Sequence, residues 1–148
     1  MHPMKVEVQY AVPRQTVPSP EDFRRWVKAA LEGREAELTV RLVNKETISA
    51  LNRTYRHREG PTNVLSFPFD PPPGIEMDYL GDILLCAPRI QEEAQEQQKP
   101  LEAHYAHLTL HGVLHLLGFD HHTPAEAEVM EGRERALMAS LGYGDPYS

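Results

Sequence analysis

The sequence contains only one cysteine, Cys86, among 148 residues, so no disulfide can form within the chain. A fold that depends on intrachain disulfides is therefore excluded, and the composition fits a reducing compartment. No apolar run approaches the length of a membrane-spanning helix, and the first ten residues contain no apolar segment typical of a signal peptide. We therefore predict a cytoplasmic protein with no membrane partner.

Basic residues are also few, because 15 lysines and arginines stand against 22 acidic residues and give a net charge of −7. This balance does not indicate nucleic-acid binding, although a local basic patch matters more than the sum. The sequence has no internal repeat and no low-complexity linker. Its length and ordinary apolar content predict one globular domain that spans 1–148.

Apolar periodicity predicts nine elements in the order β-α-β-α-β-β-α-α-α. The four strands are predicted at 6–10, 38–42, 64–69 and 80–86. Ser19, Asn44 and Thr123 are predicted helix N-caps, and a long helix is predicted to begin near Leu101 and to end at Leu117. Early alternation followed by late helices indicates an α+β fold, with a mixed sheet of about four strands and helices packed on it.

Three histidines lie close together in residues 111–121, which read His-Gly-Val-Leu-His-Leu-Leu-Gly-Phe-Asp-His. His111 and His115 are four residues apart, so a helix would place both imidazoles on one face. Gly118 can end this helix, and the following turn would bring His121 back toward the pair. Three neutral imidazoles that converge in this way form a Zn²⁺ site with one open position. We predict that His111, His115 and His121 are metal ligands and catalytic residues.

This spacing equals that of the metzincin zinc proteases, with one difference. Those proteases carry a glutamate general base after the first histidine, and this sequence has Gly112 there. The sequence therefore predicts a metzincin-like zinc helix without the group that activates water for peptide cleavage. Two simpler interpretations are core or surface histidines without metal, and a closed structural site, which needs a fourth ligand. His122 is adjacent to His121 and is expected to point elsewhere, and Cys86 is far away in sequence.

Other polar residues are open to two interpretations. His104 and His107 extend the histidine stripe, and we interpret them as a polar helix edge rather than as support for the metal ligands. The basic stretch 53–61 is either a solvated turn or a phosphate clamp that includes Arg56. Asp82 lies in an apolar strand, where a buried carboxylate needs a partner such as a histidine or an arginine.

The sequence resembles the YbeY family of bacterial rRNA-maturation endoribonucleases. The resemblance rests on the histidine motif and on segments 51–56, 61–67, 80–83 and 141–147. It implies a metal-dependent endoribonuclease that prefers single-stranded RNA and acts on the ribosome, at the 3′ end of small-subunit rRNA and in ribosome quality control. It also implies zinc on the three histidines and Arg56 beside them. Asn63 and Phe119 depart from the aspartate and tyrosine expected in the family.

Two alternative functions remain at this stage. One is a metalloprotease-like hydrolase that takes its general base from elsewhere, and the other is a non-catalytic ribosome-assembly factor with a structural metal. The proton acceptor in an RNA reaction also stays open, because His57, His104, Asp120 and a ribose 2′-hydroxyl are all candidates.

Overall fold

The computed structural model describes residues 4–148, and within this range four strands form one sheet in the order β1-β2-β4-β3. The strands are β1 (Lys5–Tyr10), β2 (Glu37–Val43), β3 (Val64–Pro68) and β4 (Tyr79–Cys86). β2 pairs in parallel with β1 and β4, whereas β3 pairs antiparallel with β4. The element order and the mixed α+β sheet predicted from the sequence are both confirmed.

Five helices accompany the sheet in the part of the chain described. They are α1 (Pro20–Leu31), α2 (Lys45–Arg56), α3 (Ala87–Glu96), α4 (Leu101–Leu116) and α5 (Pro124–Ser140). Ser19 and Thr123 cap α1 and α5 through reciprocal capping boxes, as their sequence pattern predicts. None of these helices is both long enough and apolar enough to cross a bilayer.

The two faces of the sheet carry separate apolar clusters. Ile83 and Leu85 of β4 belong to a large cluster that includes buried residues of α1 and α4. Leu84 and Cys86 alternate with them and belong to a smaller cluster with Ile48 of α2. Because successive strand side chains point to opposite faces, α4 and α2 lie on opposite sides of the sheet.

Helix α2 continues to Arg56, so Arg53 and Arg56 belong to the helix. This corrects the interpretation of the whole stretch 53–61 as a solvated turn. Both residues lie in the last turn of α2, where positive side chains interact favourably with the helix dipole. Asn52 is buried and donates from its amide to the carbonyl of Gly60, at 3.1 Å, which holds the helix end against the following loop. His57 then ends the helix with a left-handed backbone, at φ 57°.

Candidate metal centre

Helix α4 places the first two histidines of the motif side by side. The ring centroids of His111 and His115 are 4.6 Å apart, and their Nε2 atoms are 3.1 Å apart. Val113 and Leu114, between them, are fully buried in the larger apolar cluster. The helix can turn both imidazoles to the opposite side because its apolar side chains anchor it to the sheet.

The end of α4 returns the chain toward these two rings. Gly118 has φ 101°, a conformation that favours glycine, and its N–H donates to the carbonyl of His115 at 3.0 Å. The N–H of Phe119 donates to the carbonyl of Leu114, also at 3.0 Å, which completes a Schellman motif. His121 follows, with its ring centroid 5.0 Å from that of His115.

The three histidines fit a metal ion by their donor atoms and their spacing. One ring nitrogen of each lies within 4.8 Å of the other two, and within residues 4–148 no further histidine, cysteine or carboxylate joins this group. Tetrahedral Zn²⁺ with bonds of about 2.0–2.1 Å separates two nitrogens by about 3.3 Å. The 3.1 Å between His111 and His115 is close to that value, and His121 is exposed and lies after the helix. This group of histidines could therefore bind a metal ion.

The protonation states also suit a metal ion, which needs neutral imidazoles. Burial, followed by the neighbouring His111 and His121, lowers the pKa of His115 to about 4. The Nδ1 atom of His111 lies 2.8 Å from Oε1 of Glu134. An ionised carboxylate only accepts hydrogen bonds, so Nδ1 of His111 carries a proton, which leaves Nε2 as the ring nitrogen that can bind a metal ion.

Glu134 of α5 is the residue at this site that the sequence analysis missed. Its side chain is fully buried, and it accepts hydrogen bonds from His107 and His111 on Oε1 and from Tyr147 on Oε2. Burial alone would raise the pKa of Glu134, but these three hydrogen bonds outweigh burial and lower it to about 2. A signal was present in the sequence, because Glu134 lies four residues after Met130 and three before Leu137, on the apolar face of the helix.

Arg56 lies on the rim of the same site. It lines a cavity of about 340 Å³ together with Ser66, His115, Asp120 and His121. The end of α2 and the edge strand β3 form one wall of this cavity, and the end of α4 forms the other. Arg56 therefore lies in the same cavity as His115 and His121, and His111 joins these two histidines from the preceding turn of α4.

The histidines upstream in α4 differ from the prediction of a polar helix edge, which is wrong. His104 and His107 are both buried, and each pairs through Nε2 with a carboxylate at 2.9 Å, Glu93 for His104 and Glu134 for His107. The reason is that α3 and α5 pack against α4 and bring acidic side chains to its otherwise apolar surface.

The remaining polar candidates do not join the group of three histidines among residues 4–148. His122 is 81% exposed and pairs with Asp120, while Cys86 is buried in the smaller cluster, so neither supplies a fourth ligand. Asp82 accepts a hydrogen bond from the hydroxyl of Tyr79 instead of contacting a histidine or an arginine. Asn63 donates to Glu93, at 3.0 Å, on the α3 side of β4.

Gly112, at the position where metzincins carry glutamate, faces the sheet. A Cβ atom there would lie 2.8 Å from Cγ2 of Ile83, which is fully buried in β4. The backbone carbonyl of Gly112 also accepts a hydrogen bond from Ser66 of β3, at 3.3 Å. Space for a larger side chain at position 112 is therefore filled by strand side chains.

The fold and the site together define an α+β protein in which three histidines on a helix and its following loop could hold a metal ion.

Comparison with known proteins supplies the family. A family model described as endoribonuclease YbeY matches residues 9–142. The chain is 51% identical to endoribonuclease YbeY of Nitrosococcus oceani over 146 residues, which cover 96% of this chain and 95% of that protein. It is 54% identical to the Methylococcus capsulatus protein of the same name over 131 residues, which cover 88% and 87%. The chain belongs to the endoribonuclease YbeY family.

A solved structure supports the fold independently. The solution structure of TM1509 from Thermotoga maritima aligns with a TM-score of 0.58 and covers 97% of this chain and 99% of that one. The two sequences are 22% identical, so this likeness concerns the fold.

Proposed function

We propose that this chain is a zinc-dependent endoribonuclease that hydrolyses phosphodiester bonds in single-stranded RNA. The observation that carries the proposal is the convergence of His111, His115 and His121, with Arg56 lining the same cavity as His115 and His121. Membership of a family whose relatives are named endoribonuclease supports RNA as the substrate.

The chemistry follows from the charges of the residues around the cavity. Three neutral imidazoles leave the full positive charge on a zinc ion, which would supply Lewis acidity and lower the pKa of water toward about 7. Arg56 is oriented by the last turn of α2 and offers a guanidinium to a phosphate oxygen. It would stabilise the negative charge that develops on phosphorus ligands in the transition state.

The cavity also contains one carboxylate that could handle a proton. Asp120 lines it, and its Oδ1 accepts the backbone N–H of His121 at 2.8 Å. His104 is the less suitable candidate, because it is buried and its Nε2 is committed to Glu93. A ribose 2′-hydroxyl and His57 stay open as alternatives.

The cellular substrate is inferred from the family alone. We propose that the protein acts in the cytoplasm on the small ribosomal subunit, in maturation of the 3′ end of its rRNA and in ribosome quality control. The net charge of −7 favours binding through a local site such as the arginine at the cavity rim, rather than through a general basic surface.

The test measures zinc stoichiometry and cleavage of a single-stranded RNA with the purified parent, Arg56→Ala and His121→Ala proteins. We expect about one zinc per chain in the parent and in Arg56→Ala, whereas cleavage by Arg56→Ala falls by about 10²–10³-fold because transition-state charge loses its partner. His121→Ala should lose both zinc and cleavage. Equal cleavage by Arg56→Ala and the parent would remove Arg56 from the mechanism.

The same preparations separate the two alternative functions. A casein assay tests the metalloprotease, which the position of Gly112 against Ile83 disfavours. A structural metal in an assembly factor predicts no RNA cleavage by the parent and unchanged rRNA processing in cells that carry a folded His111→Ala protein.

A further inference from the structure

Glu134 lies directly behind the metal-site histidine His111. Its carboxylate is fully buried, and Oε1 is 2.8 Å from Nδ1 of His111, the ring nitrogen remote from His115. Neither oxygen of Glu134 is free, because Oε1 also accepts a hydrogen bond from His107 and Oε2 accepts one from Tyr147. The carboxylate therefore contacts the histidine that faces the metal site without being a candidate ligand itself.

We propose that Glu134 is a positioning residue for His111, and that the C-terminal segment 145–148 holds Glu134 in place through Tyr147. The proposal rests on the proposed function, since it assumes that His111 binds a metal ion. It assigns a role to a stretch of the C-terminal sequence that the catalytic proposal does not use.

The first step of the argument concerns the tautomer and orientation of His111. The carboxylate accepts the Nδ1–H, so it fixes the proton on that nitrogen and directs the Nε2 lone pair toward the site. It also restrains rotation of the ring about the Cβ–Cγ bond, a torsion that has broad minima, in a side chain that is 21% exposed. A carboxylate in this position raises the basicity of the imidazole and typically changes metal affinity 10–100-fold.

The second step concerns what holds the carboxylate. The hydroxyl of Tyr147 donates to Oε2 at 2.6 Å, and the Tyr147 ring packs edge-on against His107 at 5.2 Å between centroids. The segment is anchored in turn, because Lys99 donates to the carbonyl of Pro146 at 2.6 Å and Arg135 lies 5.1 Å from the Tyr147 ring centroid. Glu134 is thus held on one oxygen by α4 and on the other by the C-terminal segment.

A purely structural role for Glu134 is the competing explanation, and the chain offers a matched control for it. Glu93 also accepts a hydrogen bond from a buried α4 histidine, with the same 2.9 Å between Oε1 and Nε2 of His104 as between Glu134 and His107. Glu93 has no contact with His111 among the hydrogen bonds and ion pairs formed by residues 4–148. Loss of Glu93 should disturb packing on α4 without changing metal affinity.

The experiment measures Co²⁺ and Zn²⁺ affinity by chelator competition, with the visible spectrum of bound Co²⁺ as a readout of ligand geometry. The proteins are the parent, Glu134→Ala, Glu134→Gln, Tyr147→Phe and Glu93→Gln, each checked for folding by circular dichroism. We expect Glu134→Ala to bind 10–100-fold more weakly with an altered spectrum. Glu134→Gln should lose less metal affinity, because its amide oxygen still accepts a hydrogen bond from His111. Tyr147→Phe should lose the least metal affinity.

The outcomes separate the two proposals. If the parent binds neither ion, the zinc site of the proposed function fails. If the parent binds, and Glu134→Ala and Glu134→Gln bind the ion as tightly as the parent does, the positioning role is wrong. It is also wrong if Glu93→Gln weakens metal binding as much as the two Glu134 variants do. If Glu134→Ala does not fold, Glu134→Gln and Tyr147→Phe decide, because each retains the size of the side chain that it replaces.

Discussion

At the scale of single residues, the absence of a side chain at position 112 lets α4 approach β4. A Cβ at this position would lie 2.8, 3.1 and 3.2 Å from three side-chain atoms of Ile83. Ile83 is fully buried and β-branched, so its side chain has few alternative rotamers with which to retreat. The contact explains in steric terms why the position after His111 does not carry the metzincin glutamate.

We expect Gly112→Ala to lower the free energy of unfolding by about 1–3 kcal/mol, as overpacked core substitutions do. This loss would occur although alanine is intrinsically the better helix former by about 1 kcal/mol. Urea unfolding of both proteins measures the difference.

Gly132→Ala is the matched control, since Gly132 is also helical, is exposed in α5 and has nothing within 4 Å of an added Cβ. It should stabilise the protein, by up to about 1 kcal/mol. Stabilisation by both substitutions would show that β4 does not restrict position 112.

At the scale of elements, what could be predicted from the sequence is what depends on local pattern. The end of α4 follows from Gly118, because the Schellman motif involves only a few consecutive residues. The convergence of His111, His115 and His121 follows from that motif and from helical spacing. The capped starts of α1 and α5 are likewise local.

The features that could not be predicted depend on contacts between distant elements. Glu134 reaches His107 across 27 residues of sequence, and although its place on the apolar face of α5 indicates burial, nothing near either residue indicates that α5 packs against α4. The same holds for Glu93 and His104, which pair because α3 lies against α4. The last turn of α2 is held by the hydrogen bond from the Asn52 amide to the carbonyl of Gly60, which lies across the following loop.

The pair Glu93–His104 joins α3 to α4 and should make stability depend on pH. Burial raises the pKa of Glu93, but the hydrogen bonds from His104 and Asn63, with the charges of His104 and Arg89, outweigh it and leave the pKa below 4.5. A carboxyl with a lowered folded-state pKa contributes stability that is complete above its unfolded pKa and is lost as the pH falls through the folded value.

We therefore expect Glu93→Gln to lose about 1.5–3 kcal/mol of unfolding free energy at pH 7, the usual range for a hydrogen bond to a charged group. The difference from the parent should shrink as the pH falls below the unfolded-state pKa of about 4.3 and through the lowered folded-state pKa, where the parent carboxyl also becomes neutral. Urea titrations at pH 7, 5 and 3.5 measure this difference in unfolding free energy.

Glu96→Gln is the control on the same helix, because the Glu96 side chain is 64% exposed and its ion pair should contribute little. A constant difference across this pH range would exclude the charge of Glu93 as the cause.

At the scale of the whole molecule, the three histidines lie beside the apolar core and outside its two clusters. The two apolar clusters are formed by side chains of the four strands and of the helices packed on them, and none of the three histidines belongs to either cluster. This arrangement contrasts with small zinc domains, whose folding depends on the metal. We infer that the protein folds without metal and gains stability when it binds.

The last prediction follows from this arrangement and concerns metal removal. A ligand that binds only the folded state stabilises it by about 2.7 kcal/mol at a free concentration of 100 times Kd. Zn²⁺ at that excess should therefore raise the unfolding midpoint of the parent, while excess chelator should lower it and leave the native circular dichroism spectrum intact.

His115→Ala should respond to neither, because the binding group loses the histidine between the other two. His122→Ala should respond like the parent, since His122 is exposed and pairs with Asp120. Collapse of the native spectrum in chelator would mean that the metal is part of the core, and an equal response by His115→Ala would place the bound ion elsewhere.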